Sequence, residues 1–274
     1  MIDLHCHSTA SDGDHSPAEL VRVAAARGVR VLALTDHDTM GGVAEARAEG
    51  ERAGVRVVAG VEISVRVPRG SMHMLGYFPG DPPGALMEHF AGAARRRRDR
   101  AGAIVARLAE LGAPVDLDDV VARAPGNVGR PHIADALVAA GHCSSRRQAF
   151  DRYLSDRGPA YVGYDAPGPR AALALIRDAG GAAVLAHPAS LGLPDGHLMS
   201  EVQRLAARGL AGIEVHRPEH DAVRRREYAR LARAFGLVAC GGSDYHRPGE
   251  GIAPGDTGDP PLDPGAADAL LERA

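Results

Sequence analysis

A chain of 274 residues with 45% hydrophobic content can bury the core of one large domain with an insertion. Its 32 basic and 35 acidic residues leave a net charge of -3, so no global field directs it to nucleic acid or a membrane surface. Aromatics at 4%, with no Trp, argue against a stacking surface for long single strands. The odd set of three cysteines, Cys6, Cys143 and Cys240, forms no disulfide or zinc-knuckle spacing. No charged leader opens the chain and no run approaches 18 apolar residues, so a cytoplasmic location is expected.

In chain order, Ile2, Asp3 and Leu4 begin a buried strand. His5 and His7 stand two apart on it, which puts both imidazoles on one face. Such a pair can hold a divalent ion or be two ordinary hydrogen-bonded side chains. Asp12 follows in a polar loop. Ser16-Pro17 caps a helix from Pro17 to Ala26 that stops at Gly28. A strand from Val29 to Thr35 runs into Asp36-His37-Asp38, and a helix from about Gly42 to Ala53 ends at Gly54. Strands from Val55 to Val65, with Glu62, and from Met72 to Phe78, with His73, complete a pattern of parallel α/β units.

The pattern breaks at residues 80–84, and from there to about Asp151 the text is helical. Helices are expected from Gly84 to Leu111, Leu117 to Ala124, Gly129 to Gly141 and Ser144 to Leu154. The run Arg95 to Arg98 spreads around its helix and reads as a solvated surface, with a phosphate-facing contribution as the alternative. Residues 84–155 therefore form a small all-helical insertion that caps the site, between barrel segments 1–83 and 156–274. Strands resume at Ala182 to Ala186, Leu210 to Val215 and Leu237 to Gly241, each after a helix. Seven strands result, with polar residues at nearly every carboxyl end, where sites form in β/α barrels and open α/β sheets. Without a Walker or dinucleotide glycine pattern, ATP and NAD are poor candidates.

Nine strand-end residues are candidate ligands: His5, His7, Asp12, His37, Glu62, His73, His187, Asp244 and His246. Nitrogen and oxygen donors without thiolate suit manganese, zinc or iron, and nine exceed the needs of one ion. Two or three divalent ions are expected, manganese first, with magnesium a further alternative. Such a cluster suits phosphate ester hydrolysis, which must bring hydroxide to a polyanion.

Asp3-Leu-His-Cys-His-Ser-Thr-Ala-Ser-Asp-Gly13, Leu34-Thr-Asp-His-Asp38, Gly60-Val-Glu62, Ala186-His-Pro188 and Gly242-Ser-Asp-Tyr-His246 resemble the PHP (polymerase and histidinol phosphatase) family. The resemblance implies a distorted seven-stranded β/α barrel and a trinuclear metal site. By it, His5, His7, Glu62 and Asp244 bind a first ion, Glu62 bridges to a second completed by His73 and His187, and Asp12, His37 and His246 hold a third. Asp36 and Asp38 are expected to orient ligands or cap loops.

The segments Gly129-Arg-Pro-His-Ile-Ala-Asp-Ala-Leu137 and Gly158-Pro-Ala-Tyr-Val162 resemble the insertion of stand-alone bacterial PHP phosphoesterases, whose members include nucleoside 3',5'-bisphosphate phosphatases and enzymes that trim short RNA. The resemblance implies a phosphomonoesterase that takes the 3'-phosphate and leaves a nucleoside 5'-monophosphate. Arg130 and His132 would hold substrate phosphate, Arg217 would be a second clamp, and His220 would protonate the leaving group. Glu62 and Asp244 would anchor a bridging hydroxide that attacks phosphorus in line, and Glu214 would orient neighbours inside the barrel. The expected partner is a small phosphate ester, a nucleotide first, with short RNA, histidinol phosphate or a cyclic phosphodiester as alternatives. No membrane or obligate protein partner is expected. An accessory barrel of the kind carried by DNA polymerases is disfavoured by the complete ligand set. An amidohydrolase is disfavoured because no lysine is present to carboxylate.

Overall fold

A computed structural model describes residues 1–68, 70–81, 84–249 and 251–274. Seven strands form one sheet in sequence order: β1 (Ile2–Cys6), β2 (Val31–Leu34), β3 (Arg56–Val65), β4 (Met72–Phe78), β5 (Ala182–Leu185), β6 (Gly212–His216) and β7 (Val238–Gly241). The sheet curls into a nearly closed barrel. Its seam is a parallel bridge from Cys6 to Tyr245, with His7 N donating to the Tyr245 carbonyl and Asp244 N to the His5 carbonyl. Side chains alternate between two cores. Val58, Leu75, Tyr77 and Val184 fill the barrel interior, where Ala266, Ala267 and Leu270 of α10 (Ala266–Leu271) close one end. Leu32, Leu34, Ile63, Met74 and Ile213 face outward to the helices.

The expected run of parallel units fails at β4, which is antiparallel to both β3 and β5. Only residues 66–71 separate β3 from β4. A parallel crossover needs a dozen or more residues, so so short a link folds back as a hairpin. The reversal matters for the site: His73, at the start of β4, reaches the mouth that the other strands approach with their ends.

β1 carries a second irregularity. Asp3 pairs with Leu32 and Cys6 with Leu34, so β1 has one residue more than β2 over this interval. The bulge lets Leu4 sit in the interior core while the next residue, His5, also faces inward, and Cys6 turns to the outer core.

The outer helices follow the expected signals. α1 (Pro17–Ala26) starts at a capping box between Ser16 and Glu19. α2 (Val43–Ala53) ends at Gly54, whose φ of 67° a side chain would strain. α7 (Pro169–Asp178), α8 (Asp195–Ala206) and α9 (Ala222–Ala234) alternate with β5 to β7.

Between β4 and α7 lie α3 (Gly84–Glu110), α4 (Leu117–Ala122), α5 (Arg130–Ala139) and α6 (Arg146–Ala149), with no strand among the described residues. They share a core of their own, including Ile104, Leu108, Val120, Ile133 and Leu137. The first turns of α3 belong elsewhere, since Leu86 and Phe90 pack into the outer core of the barrel. The break expected at residues 80–84 includes Pro82 and Pro83, which lie outside the described residues. The helix expected from Ser144 to Leu154 is not continuous. α6 gives way to a widened π-helical turn at Phe150–Leu154, which leaves the Leu154 carbonyl to accept from Arg130 Nη1 at 3.0 Å.

The arginine run also departs from expectation. Arg95 and Arg98 are exposed, but Arg97 is buried, with Nε and Nη2 on Asp38 Oδ2 at 2.8 and 2.6 Å. Asn127 donates to the carbonyls of His37 and Asp38, and its own N–H reaches the Ala10 carbonyl. The helical segment is therefore tied to the barrel beside the His37 and Asp12 loops. No described helix is long and apolar enough to cross a membrane.

Candidate metal centre

Glu62 stands at the middle of the site, on the interior face of β3 and 1% exposed. Its Oε2 lies 3.3 Å from His5 Nε2, 3.2 Å from His7 Nε2 and 3.1 Å from His37 Nδ1. Its Oε1 lies 2.8 Å from both His73 Nδ1 and His187 Nε2, which are 3.2 Å apart. Asp244 Oδ1 completes the first set, 3.2 Å from His5 Nε2 and 3.1 Å from His7 Nε2. A third set joins Asp12 to His246 at 3.5 Å, His7 at 3.8 Å and His37 at 3.9 Å.

Among the described residues, three groups have donors within 4.8 Å of one another: His5, His7, Glu62 and Asp244; His37, Glu62 and His73; and His7, Asp12, His37 and His246. Eight of the nine expected residues fall in these groups, and His187 adjoins the second through Glu62 and His73. His7 and His37 each serve two groups, so the sets are more interlocked than the motif order implies.

The spacing has a physical signature. Four donors at ~2.0–2.1 Å from one ion, placed tetrahedrally, stand about 3.3 Å apart. The first group has that edge length. Its pairs are close enough for hydrogen bonds but are not aligned for them. Seven buried side-chain nitrogen or oxygen atoms lack a hydrogen-bond partner among the described residues, and five are here: His5 Nε2, His7 Nε2, Asp12 Oδ1, His37 Nδ1 and Glu62 Oε2. Orphaned buried donors are costly unless something else binds them. Nitrogen and oxygen donors at this spacing fit divalent cations.

Neighbouring groups hold these rings in place. His5 Nδ1 meets Glu214 Oε1 at 3.0 Å, which leaves Nε2 as the free lone pair if the carboxylate accepts. His187 Nδ1 meets Ser190 Oγ at 2.8 Å, and that hydroxyl lies 2.9 Å from the Ser71 carbonyl. Asp36 accepts from Ser8 N and from the hydroxyls of Ser8 and Ser11, fixing the loop between His7 and Asp12. Asp38 binds Ser64 and Arg97, so neither of these aspartates joins a donor group. The three described non-glycine residues with positive φ are Asp38, His187 and Asp244, each at or beside the site.

Asp3, Ser190 and Asn127 were invisible as site residues. Asp3 is fully buried and accepts from the backbone of His5, Ser243 and Gly255, so it ties both ends of the barrel seam. A charged residue inside an apolar strand was the available signal. Ser190 and Asn127 carry no such mark.

The protein groups set opposing charges. Burial would raise the Glu62 carboxyl, but His37, His73 and His5 outweigh it and hold it well below its ordinary value. Burial likewise opposes ionisation of Asp244, and His5 and Arg217 overcome it. For Asp12, His37 and His246 do the same. Burial pulls His7 down, but Asp244 and Glu62 beside it bring it up to about 10. At His37 burial prevails and the ring falls to about 3.

The residues expected around the substrate fare unevenly. Arg130 opens α5, pairs with Asp156 Oδ1 at 2.7 Å and lines a cavity of about 850 Å3 that also includes His73, Arg100, Tyr161 and Tyr164. His132 Nδ1 accepts from Gly129 N at 3.0 Å, so its proton sits on Nε2. Arg217, expected as a clamp, is 4% exposed and spends its fork on Asp244 Oδ2, Glu214 Oε2 and Glu219 Oε2 at 3.0, 3.2 and 3.2 Å. It braces Asp244 and is not free for substrate. His220, expected as the proton donor, points its Nδ1 at the Val215 carbonyl and packs edge-on to Tyr228. That bond takes its proton away from Nε2, which disqualifies the neutral ring as an acid there. His216 turns to the Pro260 carbonyl.

A family model described as PHP domain matches residues 3–114. The chain is similar to a 3',5'-nucleoside bisphosphate phosphatase of Chromobacterium violaceum, 37% identical over 91% of this chain and 88% of the relative. It is equally similar to a 5'-3' exoribonuclease of Haemophilus influenzae, 37% identical over 90% of each. A solved structure from Bifidobacterium adolescentis, described as a metal-dependent phosphoesterase, superposes with a TM-score of 0.90 at 31% identity, covering 100% of this chain and 96% of the other.

Proposed function

This chain belongs to the PHP domain family of metal-dependent phosphoesterases, and from that premise we propose that it removes the 3'-phosphate of nucleoside 3',5'-bisphosphates, leaving the nucleoside 5'-monophosphate. The observation that carries this reading is the junction at His73. That residue belongs to the donor cluster and also lines the arginine- and tyrosine-rich cavity. A phosphate at the donors would therefore have its nucleoside in a pocket with cations and rings.

His5, His7, Glu62 and Asp244 would hold one divalent ion, Glu62, His73 and His187 a second, and Asp12, His37 and His246 a third, with manganese the first choice for this donor set. Ions bound there would lower the pKa of water and offset phosphate charge. The protein's own part is positioning. Glu214 and Ser190 fix which imidazole nitrogen faces the cluster, and Arg217 holds one Asp244 oxygen so that the other points inward. Arg130 would exchange Asp156 for a non-bridging phosphate oxygen, and His132 Nε2–H would donate to another.

Short RNA is the second reading. The cavity lies near the upper end of the ~300–1,000 Å3 range for ligand pockets, and the exposed Arg66 and Arg157 extend its rim. Turnover of adenosine 3',5'-bisphosphate with manganese, beside 5'-AMP, histidinol phosphate and a short RNA, tests both. Phosphate release with AMP as the nucleotide product is expected. Faster release from histidinol phosphate would overturn the nucleotide reading.

Two further outcomes follow from the geometry. Arg130→Ala should lower kcat/KM about 10- to 100-fold for every ester tested, because a charge-assisted bond to the reacting phosphate is lost; an unchanged value would remove Arg130 from the site. Chelation should abolish turnover and lower the thermal midpoint, since a ligand at 100 times its Kd stabilises the fold by about 2.7 kcal/mol. A scanning calorimetry trace unaffected by chelator would show that the donors hold no ion.

A further inference from the structure

Where the helical segment meets the barrel, cations and rings alternate in one stack. The Arg97 guanidinium lies 5.3 Å from the Tyr164 ring centre, and Arg100 lies 5.6 Å from that ring and 5.5 Å from Tyr161. Arg130 lies 5.8 Å from Tyr161 and 5.7 Å from Phe150. The ends of the stack are neutralised, Arg97 by Asp38 and Arg130 by Asp156. The middle is not. Arg100 donates from Nε to the Val162 carbonyl at 2.9 Å and has no carboxylate within ion-pair distance among the described residues.

Arg100 is thus a partly buried cation without a counter-charge, on the wall of the cavity that His73 joins to the donor cluster. Burial and the neighbouring Arg130 bring it down to about 10, so it stays charged at neutral pH at some cost. Two rings and a carbonyl fix its plane. A guanidinium held so presents a preorganised fork for a tetrahedral oxyanion.

We propose that Arg100 is the receptor for a second phosphate on the substrate, one that is bound and not hydrolysed. The inference rests on the phosphoesterase reading above and narrows it to esters with two phosphate groups, one at the donor cluster and one at Arg100. An ester without the second group leaves Arg100 buried and unpaired. Such an ester is therefore discriminated against by the residue it fails to reach.

Two measurements on the manganese-supplemented protein test this. In the first, kcat/KM for adenosine 3',5'-bisphosphate is compared with that for adenosine 3'-monophosphate. Arg100→Gln should reduce the ratio about 10- to 100-fold, chiefly through KM, and Arg100→Lys should restore part of it. Equal losses on both substrates would mean that Arg100 is only a rung of the stack, and would overturn the proposal. The second is calorimetric binding of 5'-AMP against adenosine, which does not depend on any ester being hydrolysed. A preference for 5'-AMP that collapses in Arg100→Gln supports the receptor. A preference kept in that variant, or absent from the parent protein, overturns it. If only the turnover arm fails because the parent protein leaves the bisphosphate intact, the fault lies with the proposed reaction. Should Arg100→Gln unfold, Arg100→Lys carries both comparisons, with a reduced ratio expected and an unchanged one overturning the assignment.

Discussion

Glu62→Gln is expected to lower phosphate release by about 10^3-fold or more while the barrel stays folded. The substitution keeps the side chain's size and removes one charge. That charge is the one shared by His5, His7 and His37 on Oε2 and by His73 and His187 on Oε1. A neutral amide offers one oxygen in place of two, so it can face one group of donors and not both. Losing several kcal/mol of charge stabilisation at the reacting phosphate corresponds to about three powers of ten in rate. Bound metal per chain, measured by elemental analysis, should fall with the rate, and circular dichroism should be unchanged. His5→Ala and Asp244→Ala, which each remove a donor from the first group, should behave alike. Near-normal rates with full metal content in Glu62→Gln would refute the shared-carboxylate site.

The second large effect is on stability. Arg97→Met should destabilise the fold by about 3–5 kcal/mol, the cost of leaving one partner of a buried pair uncompensated. Asp38 is 2% exposed and would keep only the Ser64 contacts and the distant Tyr164 hydroxyl at 3.4 Å. The pH dependence has a definite sign. Burial opposes the Asp38 carboxylate, but Arg97 and the Ser64 amide hold its pKa below the ordinary value. Stability from a depressed carboxylate is present above its unfolded pKa, about 3.9, and disappears as pH falls through the folded value. The penalty of Arg97→Met should therefore be larger at pH 7 than at pH 4, where Asp38 can take up a proton. Urea unfolding at the two pH values measures this. Asp38→Asn in the same chain should recover part of the loss at pH 7. A penalty under about 1 kcal/mol at pH 7 would mean that the pair does not anchor the helical segment.

Much of this site was legible because it is built from local spacing. Period-two pairs such as His5 with His7 mark one face of an extended chain wherever that chain goes. Helix signals were equally local: Ser16, Pro17 and Glu19 set the start of α1, and Gly54 sets the end of α2. What escaped was pairing over distance. Arg217 looked like a free cation after a strand, and nothing nearby in sequence says that Asp244 and Glu214 will take its fork. His220 looked poised beside the site, yet its ring is committed to Val215 and Tyr228. Arg97, in a run of four arginines, gave no sign that it alone would be buried.

By itself, then, the amino-acid order determined the elements and the chemical type of the donors, because capping, alternation and ligand chemistry are properties of a few neighbouring residues. Only the tertiary structure decided the direction of β4, the inward turn of both Leu4 and His5 at the bulge, and the pairing that leaves Arg100 alone among its arginine neighbours without a carboxylate. Those outcomes depend on which distant charges and strands share a buried space, and burial is a property of the folded whole.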